Sequence, residues 1–206
     1  MLEELVKRAA EELRLRERAI DEVMGRARRA RVLSKQAILQ VHGGAVEEAE
    51  ERLHEAGQNL REMDEYVRER PGLGRFDQVG AAREEYAEAS ILLELEVTGK
   101  FPSPEAVGVP LESYLGGLGD VPGELRRQAL DALRVGDLER AESLLETMEE
   151  IYLSLVSMEE APFLKGLRRK LDIARGVIER TRSEITAEVG RRRLDDSVRR
   201  LADKLK

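Results

Sequence analysis

Two stretches decide how this chain is read: GAAREEYAEASILLELE at residues 80–96 and YLGGLGDVPGELRRQAL at residues 114–130. The first carries Glu84, Glu85 and Glu88, then Leu92, Leu93 and Leu95, a helical pattern in which residues three and four apart share a face. The second places Asp120 and Glu124 one turn apart, about 6 Å along a helix axis. Side-by-side packing of two such helices would bring up to four carboxylates together. That group repels itself in a core unless cations neutralise it, and a hard divalent ion such as magnesium prefers oxygen-only ligands. The spacing therefore predicts a metal site. Each cluster also has a plainer reading. Glu84, Glu85 and Glu88 would be a solvated face in a chain rich in glutamate, and Asp120 would be the N-cap of a helix starting at Val121, with Pro122 tolerated in its first turn. The glycines favour the metal reading. Gly116, Gly117, Gly119 and Gly123 share one predicted helix with Pro122, at ~1 kcal/mol for each glycine and ~3 for the proline. Such a stretch serves close backbone approach or a bend.

Composition sets the frame. The 206 residues are enough for one sizeable core or two small ones. Charged residues make up 37% and aromatic residues 3%, a mixture rich in Ala, Leu, Glu and Arg that favours an all-α protein. There is no cysteine, which excludes disulfides, thiolate nucleophiles and zinc–sulfur centres. A net charge of −7 argues against a basic protein but leaves room for a local basic patch. No apolar run is long enough to span a bilayer, and charge begins at Glu3, so neither a membrane helix nor a leader is expected and the chain reads as cytoplasmic.

Taken in order, the apolar positions recur in steps of three and four. The first predicted helix covers 2–42, with Leu2, Leu5, Val6, Ala9, Leu13, Ile20, Val23, Met24, Ala27, Ala30, Ile38 and Val41 in its stripe. At 1.5 Å per residue it approaches about 60 Å, and Gly43-Gly44 ends it. A second covers 45–70 and breaks at Pro71-Gly72. A third covers 76–98 and stops at Gly99. Ser103-Pro104-Glu105 has the serine cap and leading proline of a short helix. A helix over 111–135 ends at Gly136, with Asp137 as the next N-cap. Another covers 138–159. Pro162 opens the next, and an amphipathic segment at 190–206 forms a tail or interface helix. No repeat and no strand-like alternation occurs, so residues 1–206 read as one all-α domain.

Basic residues form three groups: Arg26, Arg28, Arg29, Arg31 and Lys35; Arg126 and Arg127; and Arg168, Arg169, Lys170 and Arg175. Guanidinium groups beside acidic metal ligands suit a phosphodiester, with the cation at the scissile phosphate and the basic groups along the backbone. Ordinary surface ion pairing is the plainer alternative. His42 reads as a helix-end residue. Glu51 and His54 form a single Glu-x-x-His, whereas a di-iron bundle uses two. Neither a nucleophile elbow nor a glycine-rich NTP loop is present.

Four blocks carry a family resemblance: LSKQAILQVH at 33–42, EEYAEA at 84–89, YLGGLGDVPGELRR at 114–127 and LRRKLDIARGVIERTR at 167–182. In this order they resemble the translin/Trax family, on the side of its archaeal Trax-like members. The resemblance implies a translin-like fold of about seven helices, assembled into a closed shell of identical subunits, usually an octamer. It implies a magnesium-dependent endoribonuclease, with Mn2+ as the alternative ion. Glu85, Glu88, Asp120 and Glu124 match the acids that are both catalytic and metal-binding. RNA that is single-stranded or has single-stranded regions is the implied partner, with single-stranded DNA as a second. Arg31, Lys35, Arg126, Arg127, Arg168 and Arg169 are then the expected nucleic-acid contacts. Pro122 departs from the family pattern, which has a small polar residue there. The alternative within the family is a non-catalytic RNA- or DNA-binding shell of the translin type.

Overall fold

The computed structural model describes residues 1–158, 161, 164 and 166–205, and at position 71 the backbone alone. Among these residues there are seven α-helices, one 3-10 turn and no strand. The helices are α1 (Leu2–His42), α2 (Val46–Glu69), α3 (Asp77–Thr98), α4 (Pro104–Val107), α5 (Leu111–Val135), α6 (Leu138–Val156) and α7 (Leu167–Lys204), with the 3-10 turn at Pro71–Arg75. The expected all-α class is what the chain adopts. It divides into two compact units, Met1–Gly117 and Leu118–Lys206, so α5 contributes its first turns to one and the remainder to the other.

In the first unit α1, α2 and α3 pack together. Ala19, Val23, Ala27 and Ala30 of α1 meet Leu60 and Met63 of α2, Leu73 of the 3-10 turn, and Val79 and Ala82 of α3 in one core cluster. Four alanines in this seam let the helices approach closely, and each buried Leu or Met contributes about 1.5–3 kcal/mol. Polar ties surround the seam. Arg29 bridges α1 to Glu55 of α2 at 2.5 Å, Arg26 reaches Glu62 and lies over the Tyr66 ring at 5.8 Å, and Arg83 of α3 pairs with Asp64 of α2. The apolar stripe of α1 starts at Leu2 as the sequence predicts, but burial starts only at Ala19. Leu2 is 76% exposed and Leu13 60%.

α5 enters this unit against α3. The Tyr114 hydroxyl donates to the Pro102 carbonyl at 2.7 Å, and burial pushes its phenol pKa up. Three residues on, Gly117 lies against the α3 backbone. A Cβ at 117 would stand 2.6 Å from the Glu84 carbonyl oxygen, 2.7 Å from the Glu88 nitrogen and 2.8 Å from the Ala87 Cβ. The glycines of the second stretch thus include one that is sterically required, as close approach predicts. The N-cap reading of Asp120 is not realised. α5 runs through it without a break, with Pro122 inside the helix, so Asp120 and Glu124 both sit in the helix interior on one face.

In the second unit α6 and α7 pack together, and their buried residues include Ala141, Leu144, Met148 and Ile151 of α6 and Leu171, Ala174 and Ile178 of α7. Gly136 takes φ +83°, a left-handed conformation that ends α5, and Asp137 caps α6 by accepting from the Arg140 amide. Arg126 ties α5 to α7. Its guanidinium donates to both carboxylate oxygens of Glu184 at 2.9 Å and to the Thr181 hydroxyl at 2.9 Å. Thr181 is fully buried and donates in turn to the Val177 carbonyl. The expected helix opening at Pro162 lies outside the described residues; α7 is helical from Leu167 and runs through Gly190 to Lys204 as a single element. Leu194, Val198 and Leu201 in its last turns are exposed.

Two stability measurements check this packing. Alanine gains ~1 kcal/mol over glycine in a helix, yet Gly117→Ala will lose about 1–3 kcal/mol because backbone atoms cannot give way. Gly123→Ala is the control: its Cβ would meet nothing within 4 Å, so it should be neutral or gain up to ~1 kcal/mol. Urea unfolding of both variants reads the difference. Likewise Arg126→Met should cost about 1.5–3 kcal/mol, the range for hydrogen bonds to charged groups, while exposed Arg127→Met should stay within about 0.5 kcal/mol. Equal midpoints for these two would refute a structural role for Arg126.

Candidate metal and nucleic-acid site

The Glu84–Glu88 turn of α3 is positioned by its neighbours on both sides. Gly117 rests on its backbone, and Gly116 lies under the Glu84 side chain, whose Cδ would be 2.8 Å from a Cβ at 116. Helical periodicity then sends Glu85 toward α1. Its carboxylate is 18% exposed and stands 3.9 Å from both the Arg31 guanidinium and the Lys35 ammonium. These two cations are one turn apart on α1, so one carboxylate serves both. Glu88, one turn after Glu85, is 9% exposed. Among the described residues it is the carboxylate that the fold buries, and burial of a carboxylate is costly unless charge or hydrogen bonds offset it.

Arg31 and Lys35 also line a cavity of about 370 Å³ with Met24, Arg28, Val32 and Gln78. Three cations around a concave surface attract an anion. The structure thus brings together Arg31, Lys35 and Glu85, which the sequence placed on different helices.

In the second unit Asp120 and Glu124 occupy one face of α5. The Asp120 carboxylate accepts from the Lys170 ammonium of α7 at 2.7 Å. Arg126 is engaged by Glu184 and Thr181, whereas Arg127, Arg168 and Arg169 are exposed. Sequence reasoning placed Lys170 in a basic group but not in the site. The pair joins residues fifty positions apart, which no local spacing reports. The one sequence signal was Gly119, whose missing side chain lets the Lys170 stem lie on α5: a Cβ there would touch Lys170 Cβ and Cδ at 3.4 Å.

Donor chemistry at these positions fits a hard cation, since every candidate ligand is a carboxylate and each helix offers two of them a turn apart. Among the described residues there is no group of three or more His, Asp or Glu side chains able to hold a metal ion. Glu85 and Glu88 belong to the first unit, Asp120 and Glu124 to the second. No helix among the described residues is long and apolar enough to cross a membrane.

Known proteins share this architecture. The apo-NeC3PO structure superposes with a TM-score of 0.81 at 27% identity, covering 89% of this chain and 96% of that one. The AfC3PO chain in its complex with duplex RNA gives 0.81 at 36% identity over 93% and 98% of the two chains. The AfC3PO crystal structure gives 0.81 at 38% identity over 93% and 99%. An uncharacterized protein of Methanocaldococcus jannaschii is 31% identical over 147 residues, 69% of this chain. The chain spans 66% of that curated relative, just under two thirds of its length. The sequence model of the Translin family matches residues 4–181, a span that holds the α3 carboxylates, the glycine-bearing entry of α5, and the first turns of α7 with Lys170. A helical chain matched over that span, with the resemblance of its four sequence blocks met by the structural likeness to the C3PO chains, belongs to the Translin family.

Proposed function

We propose that this protein is an oligomeric RNA-binding member of its family that cleaves RNA as a magnesium-dependent endoribonuclease. The observation that carries the catalytic part is the burial of Glu88 at 9% exposure one turn from Glu85. Two carboxylates a turn apart on one helix, one of them buried, are the all-oxygen donor chemistry that a hard divalent cation takes. RNA enters through the family: AfC3PO, 36% identical, has been seen with duplex RNA. The substrate class we assign is RNA with single-stranded regions, and single-stranded DNA is a secondary ligand.

Glu85 and Glu88 of α3, and Asp120 and Glu124 of α5, are the carboxylates we assign to metal binding, with Mg2+ or Mn2+ as the ion. When bound, such an ion acidifies water and neutralises charge developing on phosphoryl oxygens. The chain's own groups do the rest. Arg31 and Lys35 bind the phosphate backbone from the α1 cavity, aided by Arg28. In the second unit the basic groups assigned to nucleic acid are Arg168 and Arg169 at the start of α7 and Arg127 on α5. Such contacts read charge rather than sequence, and with 3% aromatic residues base stacking contributes little.

A second reading has its own observation. Asp120 already has Lys170 at 2.7 Å, and Glu85 has two cations at 3.9 Å. Structural acids in a non-catalytic nucleic-acid-binding shell would look the same.

Cleavage of end-labelled RNA separates the two. Cutting that requires Mg2+, and falls at least ~100-fold in Asp120→Asn combined with Glu124→Gln, is the expected result. Unchanged cutting would remove these acids from the mechanism, and metal-independent binding without cutting would establish the shell. The basic surface has a separate check. Arg31→Gln with Lys35→Gln should weaken RNA binding and flatten the plot of log affinity against log salt by up to ~2, one for each lost phosphate contact.

A further inference from the structure

The basic residues in the second half of α1 fall into two sets by what they touch. Arg26 and Arg29 face α2 and are engaged there by Glu62 and Glu55. Arg28, Arg31 and Lys35 instead line the cavity of about 370 Å³, and the fold leaves them largely unused. Among the described residues Arg28 makes no ion pair or side-chain hydrogen bond. Arg31 and Lys35 reach Glu85 alone, at 3.9 Å, beyond hydrogen-bond length. The Arg31 Nε is buried and donates to no group among the described residues, a costly state until an acceptor arrives. The rest of the lining is not what a bare phosphate needs. Met24 and Val32 are apolar, and Val32 is 44% exposed. Gln78, across from α1 at the start of α3, brings an amide that bonds no side chain or backbone group among the described residues. Apolar lining with a few placed polar groups, in a volume near the lower end of the usual range of about 300–1,000 Å³, is the make-up of a pocket for one small organic group.

We infer that this cavity takes one unpaired nucleotide of an RNA strand. The base enters over Met24 and Val32 and meets Gln78 with its edge, while the phosphates on either side of it lie along Arg28, Arg31 and Lys35. This deepens the RNA-binding reading and rests on it. The spacing suits a strand: the three cations follow one another at steps of three and four, a row of about 10 Å along one face of α1 rather than a single point of charge. A glutamine amide carries both donors and an acceptor, which matches the N3–H and O4 of uracil. The pairing edges of the other bases also set donors beside acceptors, so the pocket selects an unpaired base more than a particular one. In a duplex that edge is already taken and the base is stacked, so a paired strand cannot use the cavity. Preference for single-stranded RNA then arises in a chain with only 3% aromatic residues, by capture of a base rather than by stacking.

Fluorescence anisotropy on the assembled, full-length protein tests the pocket, in EDTA so that no metal-dependent cutting occurs. Three labelled probes are compared: a short oligouridine, a strand of equal length without bases, and the oligouridine annealed to oligoadenosine. Wild type should bind the free oligouridine tightest. Gln78 is exposed, so Gln78→Ala leaves the packing alone. It should weaken oligouridine binding about three- to tenfold, the worth of a hydrogen bond, and leave the base-free strand and the salt dependence unchanged. Arg28→Gln should weaken both single strands alike and flatten the salt slope by about one. An oligouridine carrying 4-thiouridine, irradiated on the protein, should crosslink at Met24, Val32 or Gln78. Wild-type affinity of Gln78→Ala for oligouridine, equal losses on both single strands, or crosslinks confined to other segments overturns the pocket and leaves RNA binding standing. Wild type that binds none of the three probes overturns the RNA-binding reading and the pocket together.

Discussion

The contact on which the rest of the first unit depends is made by a hydrogen atom. Where α5 begins, Gly117 brings its α-carbon onto the backbone of the α3 turn that runs from Glu84 to Glu88. Any larger side chain would push the helices apart at the turn that carries the acids. Main chain on main chain is a stiff contact, because neither partner has a rotamer to change. It places Glu84 across Gly116 and leaves Glu85 and Glu88 on the remaining faces of α3, one toward the α1 cations and one buried. Four glycines and a proline in a single helix look like weakness when helix propensity alone is considered. In the folded chain they have separate causes: Gly117 for the α3 backbone, Gly116 for Glu84, and Gly119 for the stem of Lys170.

Charge in this protein is arranged at two ranges, and the distances separate their roles. Arg126 with Glu184, and Lys170 with Asp120, are hydrogen-bonded pairs at 2.9 and 2.7 Å whose cations are each only 19% exposed. Such pairs fix one helix against another. Arg31 and Lys35 stand 3.9 Å from Glu85 and are more exposed, a looser arrangement in which either cation can turn to another anion at small cost. Of the basic residues that sequence alone would assign to nucleic acid, Arg126 is thus held in a hydrogen-bonded pair that ties α5 to α7.

Much of the fold was open to direct reading. Steps of three and four in α1, α2, α6 and α7, the stops at Gly43, Gly99 and Gly136, and the caps at Ser103 and Asp137 are local devices, set by backbone hydrogen bonding within a few residues. The same periodicity misreads extent. Leu2, Val6 and Leu13 continue the α1 stripe, yet they are exposed, as are Leu194, Val198 and Leu201 of α7. A stripe records that an apolar face exists; it does not say what covers it.

By itself, then, the amino-acid order determined the all-α class, the stops at Gly43, Gly99 and Gly136, the family likeness, and which carboxylates share a helical face, because each follows from spacing along the chain. Tertiary structure alone decided that Glu88 is buried, that Glu85 faces Arg31 and Lys35, that Arg126 belongs to Glu184, and that Lys170 holds Asp120. These depend on which helix lies against which, across separations of up to fifty-eight positions. Contacts of that kind are chosen by shape and charge in three dimensions, where the absence of a Cβ at Gly117 or Gly119 counts as much as any side chain present.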